Sequence, residues 1–182
     1  MKLFLIILLV LLALSILRPG FGFKSQRPSH YGGTAPEFDM KTHLNGPIIS
    51  EGMIHDLRGR MVSRFVAEMQ GTWDGNTGTL AENFTYANGG TQQRLWNLTL
   101  KEDGHFTATA DDIIGLAKGQ VSGATLSMTY RIRLPENAGG HVLDVTDWLY
   151  LMENGTLLNR SELRKFGIKV AELTATMRPV GN

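Results

Sequence analysis

Apolar and polar side chains alternate along most of the chain after residue 46, and this alternation predicts β-strands. Short turn sequences rich in Gly, Asn and Asp separate the alternating segments. We predict ten strands, over Ile48–His55, Arg60–Gly71, Gly78–Ala87, Gln92–Lys101, His105–Ala110, Leu116–Val121, Ala124–Leu134, His141–Met152, Thr156–Leu163 and Lys169–Arg178.

The short links between these segments favour antiparallel pairing of consecutive strands, and closure of such a sheet removes its exposed edges. We therefore expect an all-β fold, an antiparallel lipocalin-like barrel of about 8–10 strands. A β-sandwich is the alternative. A short helical turn is predicted from Glu37 to Leu44, where Phe38 and Leu44 are suited to cover one end of the sheet structure.

The start of the chain has a different character. An apolar stretch over Leu3–Leu17, interrupted only by Ser15, follows Lys2. Since a full membrane span needs about 20 apolar residues, this stretch suits a secretory signal better. The small residue Gly22 favours cleavage after it, whereas Arg18 argues against cleavage, so an uncleaved membrane anchor is the alternative.

We divide the chain into three parts. Residues 1–22 are predicted to be a signal peptide or membrane anchor, residues 23–36 a linker rich in Ser, Gly and Pro, and residues 37–182 a single β-barrel domain. We expect the protein to be exported, and to be either periplasmic or anchored to the inner membrane facing the periplasm.

Charge and composition exclude several function classes. The formal net charge is +1, but the first 22 residues contribute Lys2 and Arg18 and no acid, which leaves 16 basic and 17 acidic residues, net −1. We therefore expect no nucleic-acid partner. The chain has no cysteine, its five histidines are scattered, and it contains no phosphate loop, hydrolase elbow or zinc-protease motif. We predict no cofactor, no metal site and no catalytic residue, and rank an enzyme below a binding or structural protein.

Two predicted hairpins carry charged residues on apolar faces. In the first, the Asn88–Gly90 turn places Glu82 and Arg94 opposite or diagonal to each other. Charges seldom enter such a face unless they pair or bind something. The pair is therefore a structural salt bridge or a head-group site. The same face carries the aromatic side chains Phe84, Tyr86 and Trp96. A strand phase slipped by one residue would instead turn both charges to water.

In the second hairpin, Asn154–Gly155 predicts a two-residue type I′ turn that sets Asp147 opposite Glu162. Arg160 then shares their face and lies between two carboxylates. This arrangement is a structural network or, if the guanidinium keeps free donors, a site for a carboxylate or phosphate. Trp148 falls on the opposite face, where it suits the core better than a ligand platform.

The ordered series of motifs resembles a bacterial family of exported or membrane-attached proteins, the domain-of-unknown-function 3833 family, over roughly residues 40–178. The residues that carry the resemblance are Asn45-Gly46, Asp56-x-Arg58-Gly59, Arg64-Phe65, Gly71-x-Trp73, Leu80-x-Glu82-x-Phe84-x-Tyr86, Arg94-x-Trp96, Asp112-x-x-Gly115-x-Ala117-x-Gly119, Gly123-Ala124, Tyr130, Asp147-Trp148, Asn159-Arg160 and Lys165-Phe166-Gly167.

The chain departs from the family in two places. Many relatives carry a lipoprotein cysteine near the end of the signal, and this chain has none. Relatives often have two acids before the tryptophan where this chain has Thr146-Asp147. The family has no established activity, and its association with fatty-acid-modifying enzymes implies a role near the envelope lipids.

Strand phase and family pattern together select a set of candidate ligand-binding residues: Glu82, Phe84, Tyr86, Arg94, Trp96, Asp112, Asp147, Trp148, Asn159, Arg160 and Lys165. We expect a small barrel that binds an apolar or acidic amphipathic ligand, such as a fatty acid or lipid, with Arg94 or Arg160 meeting its acidic head. The alternative is a non-catalytic structural or interaction protein whose barrel is filled. An internal cavity above about 300 Å³ lined by Phe84, Trp96 and an arginine would favour binding.

Overall fold

A computed structural model of the chain describes residues 2–17 and 22–181. Two helices, α1 at Lys2–Leu17 and the short α2 at Met40–His43, precede ten strands. The strands are β1 Gly46–Asp56, β2 Met61–Asp74, β3 Thr77–Tyr86, β4 Thr91–Leu100, β5 His105–Thr109, β6 Ala117–Ser122, β7 Thr125–Arg133, β8 Val142–Leu151, β9 Leu157–Lys165 and β10 Ile168–Pro179. Single 3-10 turns occupy Phe23–Ser25, Pro28–His30, Glu102–Gly104 and Glu136–Ala138.

The strands form a closed barrel in which every pairing is antiparallel. Each strand pairs with its neighbours in sequence, and β1 pairs with β10 to complete the ring. The predicted all-β barrel is therefore confirmed, and the sandwich alternative is wrong. Closure gives each strand two neighbours, although β4 pairs with β5 only over Asn97–Leu100.

Alternation along each strand divides side chains between a packed interior and the outer surface. On β2, for example, Phe65, Ala67 and Met69 are buried, whereas Val66 and Glu68 between them are exposed. Inward-facing residues of all ten strands form one continuous apolar core. Strand period alone thus explains which residues build this core.

The α2 helix covers one end of the barrel. Asp39 caps it by accepting a hydrogen bond from the Lys41 backbone N–H. Phe38 and Leu44, which we predicted to cover an end of the sheet, are buried in the core together with Met40. The Trp73 indole Nε1 donates to the carbonyl of Leu44 at 2.9 Å and fixes the end of the helical segment to β2.

The segment predicted as a linker, residues 23–36, lies against the outer surface of the barrel. The ring of Tyr31 packs on Trp148, with 5.3 Å between ring centroids. Gln26 Oε1 accepts hydrogen bonds from the hydroxyls of Tyr31 and Tyr150. Phe23 is buried in the same layer. Because this segment covers it, Trp148 is only 2% exposed although it points away from the barrel interior.

The α1 helix contains the apolar stretch at the start of the chain, and its side chains from residue 2 to residue 13 are exposed. Among the described residues, no helix combines the length and the hydropathy of a membrane span. Arg18, on which our argument against cleavage rests, lies outside the described residues.

Gly71→Ala should destabilise the protein by about 1–3 kcal/mol, the usual cost of forcing an extra methyl group into a packed site. A Cβ at this position would lie 2.1 Å from the Leu44 carbonyl oxygen, which α2 holds in place. Gly33→Ala is the control, because nothing lies within 4 Å of a Cβ at Gly33. Urea denaturation measures both variants. Equal stability of the two would contradict close packing of α2 on β2.

Candidate functional site

Six polar side chains inside the barrel and Asp112 in its wall lie close together, and we call these seven residues the interior polar cluster. Five strands and one loop contribute them, because alternation turns every second side chain of a strand inward. The members are Glu82 on β3, Arg94 on β4, Asp112 in the loop after β5, Tyr130 on β7, Asp147 on β8, and Asn159 and Ser161 on β9.

Glu82 and Arg94 lie directly opposite each other on β3 and β4, which confirms one of the two predicted registers. Arg94 Nη1 donates to Glu82 Oε2 at 3.3 Å. The guanidinium carbon lies 5.8 Å from the centroid of the Phe84 ring and 5.6 Å from that of Trp96. Both charges therefore face the interior among aromatic rings, and the slipped strand phase is excluded.

Asp112 binds the other side of the guanidinium. Arg94 Nε lies 3.1 Å and 3.0 Å from the two Asp112 carboxylate oxygens, and Nη2 donates to Oδ2 at 2.8 Å. The β4–β5 pairing covers only Asn97–Leu100, and the Asp112 carbonyl instead accepts from the Arg133 N–H of β7. The ion pair therefore fills a gap in the wall, beside an outer groove of about 530 Å³.

Asp147 forms the second half of the interior polar cluster. Its Oδ1 accepts hydrogen bonds from the Asn159 amide and from the Ser161 hydroxyl. Asp147 pairs with Ser161 across β8 and β9, and Asn159 pairs with Leu149. These three polar side chains thus share the inner face of one hairpin.

The predicted network of Asp147, Arg160 and Glu162 is wrong, because the hairpin has a different register. Met152 and Thr156 are hydrogen-bonded across the turn, so the loop has three residues, Glu153–Gly155, rather than two. Gly155 has a φ of +79°, the left-handed conformation that closes such three-residue loops. The extra residue moves Arg160 and Glu162 to the face opposite Asp147.

Three of the candidate residues lie away from the interior polar cluster. Arg160 is on the outer surface, where Nε donates to Glu172 Oε1 at 2.9 Å and the guanidinium lies over the Phe23 ring. Trp148 is on the same outer surface, under residues 23–36. Lys165 Nζ is 3.1 Å from His141 Nδ1. These residues therefore share no site with the interior charges.

The other eight candidates face the barrel interior or the rim of the cluster: Glu82, Phe84, Tyr86, Arg94, Trp96, Asp112, Asp147 and Asn159. Tyr86 donates its hydroxyl proton to Gln92 Oε1 at 2.9 Å. Tyr130 and Ser161 were not among the predicted site residues. Both carried a usable signal, since Tyr130 belongs to the resemblance motif and Ser161 has the same strand phase as Asn159.

The interior polar cluster borders a cavity of about 120 Å³ inside the barrel. Most of the cavity wall is apolar, formed by side chains such as Met69, Leu80, Phe84, Trp96, Met128 and Leu149. Its polar part is formed by Ser50, Glu82, Arg94, Tyr130, Asp147, Asn159 and Ser161. The interior is therefore not completely filled, and the cavity is smaller than the size of about 300 Å³ that we took to favour binding.

Burial dominates the acid–base properties of this site. It raises the pKa of Glu82 to about 7, because loss of water disfavours the ionised carboxylate more than Arg94 favours it. Burial also raises the pKa of Asp147, although Ser161 and Asn159 donate to it. It raises the pKa of Tyr130 well above the usual value. Loss of water is thus the main cause of the raised pKa in all three groups.

No group of three or more His, Cys, Asp or Glu side chains in the described ranges has an arrangement that would hold a metal ion.

The protein is a small, closed antiparallel β-barrel with a partly open interior and a buried polar cluster. A barrel of this kind fits a ligand-binding protein. The family of proteins of unknown function designated DUF3833 matches residues 20–179, and the chain belongs to this family. No curated protein shows a match to the chain. The resemblance on which our sequence analysis relied is thereby confirmed.

Replacement of Glu82 should change how stability depends on pH. The pKa of this carboxyl is about 7 in the folded protein and 4.5 without burial, so the folded state holds the proton more tightly between these values. The free energy of unfolding should therefore fall as pH rises from about 5 to about 8, with on the order of 3 kcal/mol of the decline due to Glu82.

The free energy of unfolding of Glu82→Gln should lack this part of the decline. Urea denaturation at about pH 5 and about pH 8 measures the difference. Glu68→Gln, at an exposed position of β2, is the matched control and should keep the wild-type decline. The same slope in Glu82→Gln and wild type would show that Glu82 is not the titrating group.

Arg94→Leu and Arg160→Leu should differ sharply in their effect on stability. The first leaves the carboxylates of Glu82 and Asp112 without a counter-ion inside the barrel, which costs about 3–5 kcal/mol. The second removes a side chain that is 46% exposed and should cost about 1 kcal/mol or less. Denaturant titration near pH 8 measures both. Similar losses would refute a structural difference between the two arginines.

Proposed function

We propose that the protein binds the polar-headed end of one amphipathic molecule, such as a single-chain lipid, inside the barrel. The apolar part of the ligand would contact the wall formed by Leu80, Trp96 and Met128. The head would contact the interior polar cluster near Glu82. A barrel of this kind suits ligand binding in general, and the proposal adds the class of ligand.

The observation that carries the proposal is the position of the interior polar cluster at the edge of an apolar cavity. Buried charges are weak evidence of a purely structural role, since apolar side chains of similar volume often stabilise a core at least as well. Here the charges of Glu82, Arg94 and Asp147 border open space. Apolar walls with a few convergent polar groups are the usual composition of ligand sites.

Size limits what the cavity accepts. A whole drug-sized ligand needs about 300–1,000 Å³, whereas a cavity of about 150 Å³ in another protein binds benzene. The present cavity of about 120 Å³ therefore accepts a segment of roughly six carbons or fewer. Met40, Met69, Met128 and Met177 line it, and methionine side chains adapt readily to a guest.

We further propose that the protein acts at the cell envelope, exported or anchored by its N-terminal segment. The support is the apolar stretch over Leu3–Leu17 and the lipid-like ligand class. A structural protein with a nearly filled barrel is the second candidate, and the small volume of the cavity is the observation that favours it.

Native mass spectrometry of the folded protein, purified from a membrane-containing preparation, tests ligand binding. We expect a bound species that organic extraction releases as a single-chain amphiphile. Met128→Trp should fill the cavity and abolish the bound species while the protein stays folded. Met53→Trp, at a position on the outer surface that is 45% exposed, is the matched control and should retain it.

An apo mass from that preparation, together with no binding of added single-chain amphiphiles, would overturn the proposal in favour of the filled-barrel alternative. Retention of the ligand by Met128→Trp would place any binding outside the cavity.

A further inference from the structure

The charge balance of the interior polar cluster bears on the ligand's head group. Glu82, Asp112 and Asp147 are three carboxylates, and Arg94 is the single guanidinium among them. Three negative charges against one positive charge leave a formal charge of −2 when all are ionised. Among the residues that line the cavity, Arg94 is the only Lys, Arg or His.

Arg94 is already engaged by protein carboxylates. Nε and Nη2 both contact Asp112, the two-point geometry that makes arginine a strong carboxylate receptor, and Nη1 donates to Glu82. A ligand carboxylate at this guanidinium would compete with Asp112. It would also add a negative charge beside a site that is already negative.

An acceptor remains open on the opposite side of the pair. Glu82 is more than nine-tenths buried and lines the cavity, and Arg94 contacts only its Oε2. Its Oε1 accepts no hydrogen bond from any residue that the structure describes. Among the described residues, no buried side-chain N or O atom lacks a hydrogen-bond partner, so this oxygen is accessible and a donor supplied by a ligand can bind to it.

We infer that the polar end of the cavity selects a head group that donates a hydrogen bond to Glu82 and carries no negative charge, namely a hydroxyl or an ammonium group. This inference rests on the proposed ligand-binding function and narrows it. It replaces the acidic head that the sequence alone led us to expect at Arg94. The buried carboxylates then act as the specificity determinant of the barrel.

Three probes with one six-carbon chain and different heads test the inference: hexan-1-ol, hexylamine and hexanoate. Their affinities for the full chain are measured by NMR titration near pH 8, where Glu82 is mostly ionised. We expect the alcohol and the amine to bind at least about tenfold more tightly than hexanoate. Equal or tighter binding of hexanoate would overturn the inference.

A pair of variants assigns the selectivity to Glu82. Glu82→Gln removes one negative charge from the cavity. It should weaken the binding of hexylamine about tenfold and strengthen the binding of hexanoate. Glu68→Gln makes the same charge change on the outer surface and should alter neither affinity. Circular dichroism confirms that both variants are folded. Equal shifts in both variants would show that overall charge, and not the site, sets the preference.

The two proposals fail in distinguishable ways. If none of the three probes binds, ligand binding itself is overturned and the inference with it. If all three bind with similar affinity, the barrel binds ligands and only the head-group inference fails.

Discussion

The burial of Arg94 between Glu82 and Asp112 is the interaction on which the interior of this barrel depends. It joins β3 and β4 to the loop after β5, and it fills the part of the wall where β4 and β5 are not paired. Burial of charge is unfavourable unless each group has a partner, so the three side chains must be placed together. The same carboxylate of Glu82 lines the cavity, so one residue serves both the ion pair and the cavity wall.

The β8–β9 hairpin contributes to two separate environments. Its inner face presents Asp147, Asn159 and Ser161 to the cavity, and its outer face presents Trp148 and Arg160 to residues 23–36. A strand can do this because consecutive side chains point to opposite sides. The segment before the barrel therefore shields aromatic surface that would otherwise face water, and the outer charges pair locally with Glu172 instead of entering the cavity.

Much of the fold was predictable from local patterns, whereas the site was predictable only in part. Ten alternating segments and short turns were enough for the barrel, because strand period and chain closure depend on near neighbours in sequence. The Glu82–Arg94 pair was predictable for the same reason, since one tight turn separates the two strands. Arg160 was misplaced because a three-residue loop and a two-residue loop both suit Asn154–Gly155 and differ in register by one.

The sequence by itself determined an antiparallel barrel of about 8–10 strands, the covering of one end by Phe38 and Leu44, and the choice of residues that could carry charge inside. These properties follow from side-chain alternation and turn chemistry, which are local. Only the tertiary structure decided that Asp112 completes the Arg94 pair, that Tyr130 and Ser161 join the cluster, and that the cavity is about 120 Å³. Those properties depend on how strands that are distant in sequence meet around a closed ring, and no local sequence pattern specifies which residues then lie together.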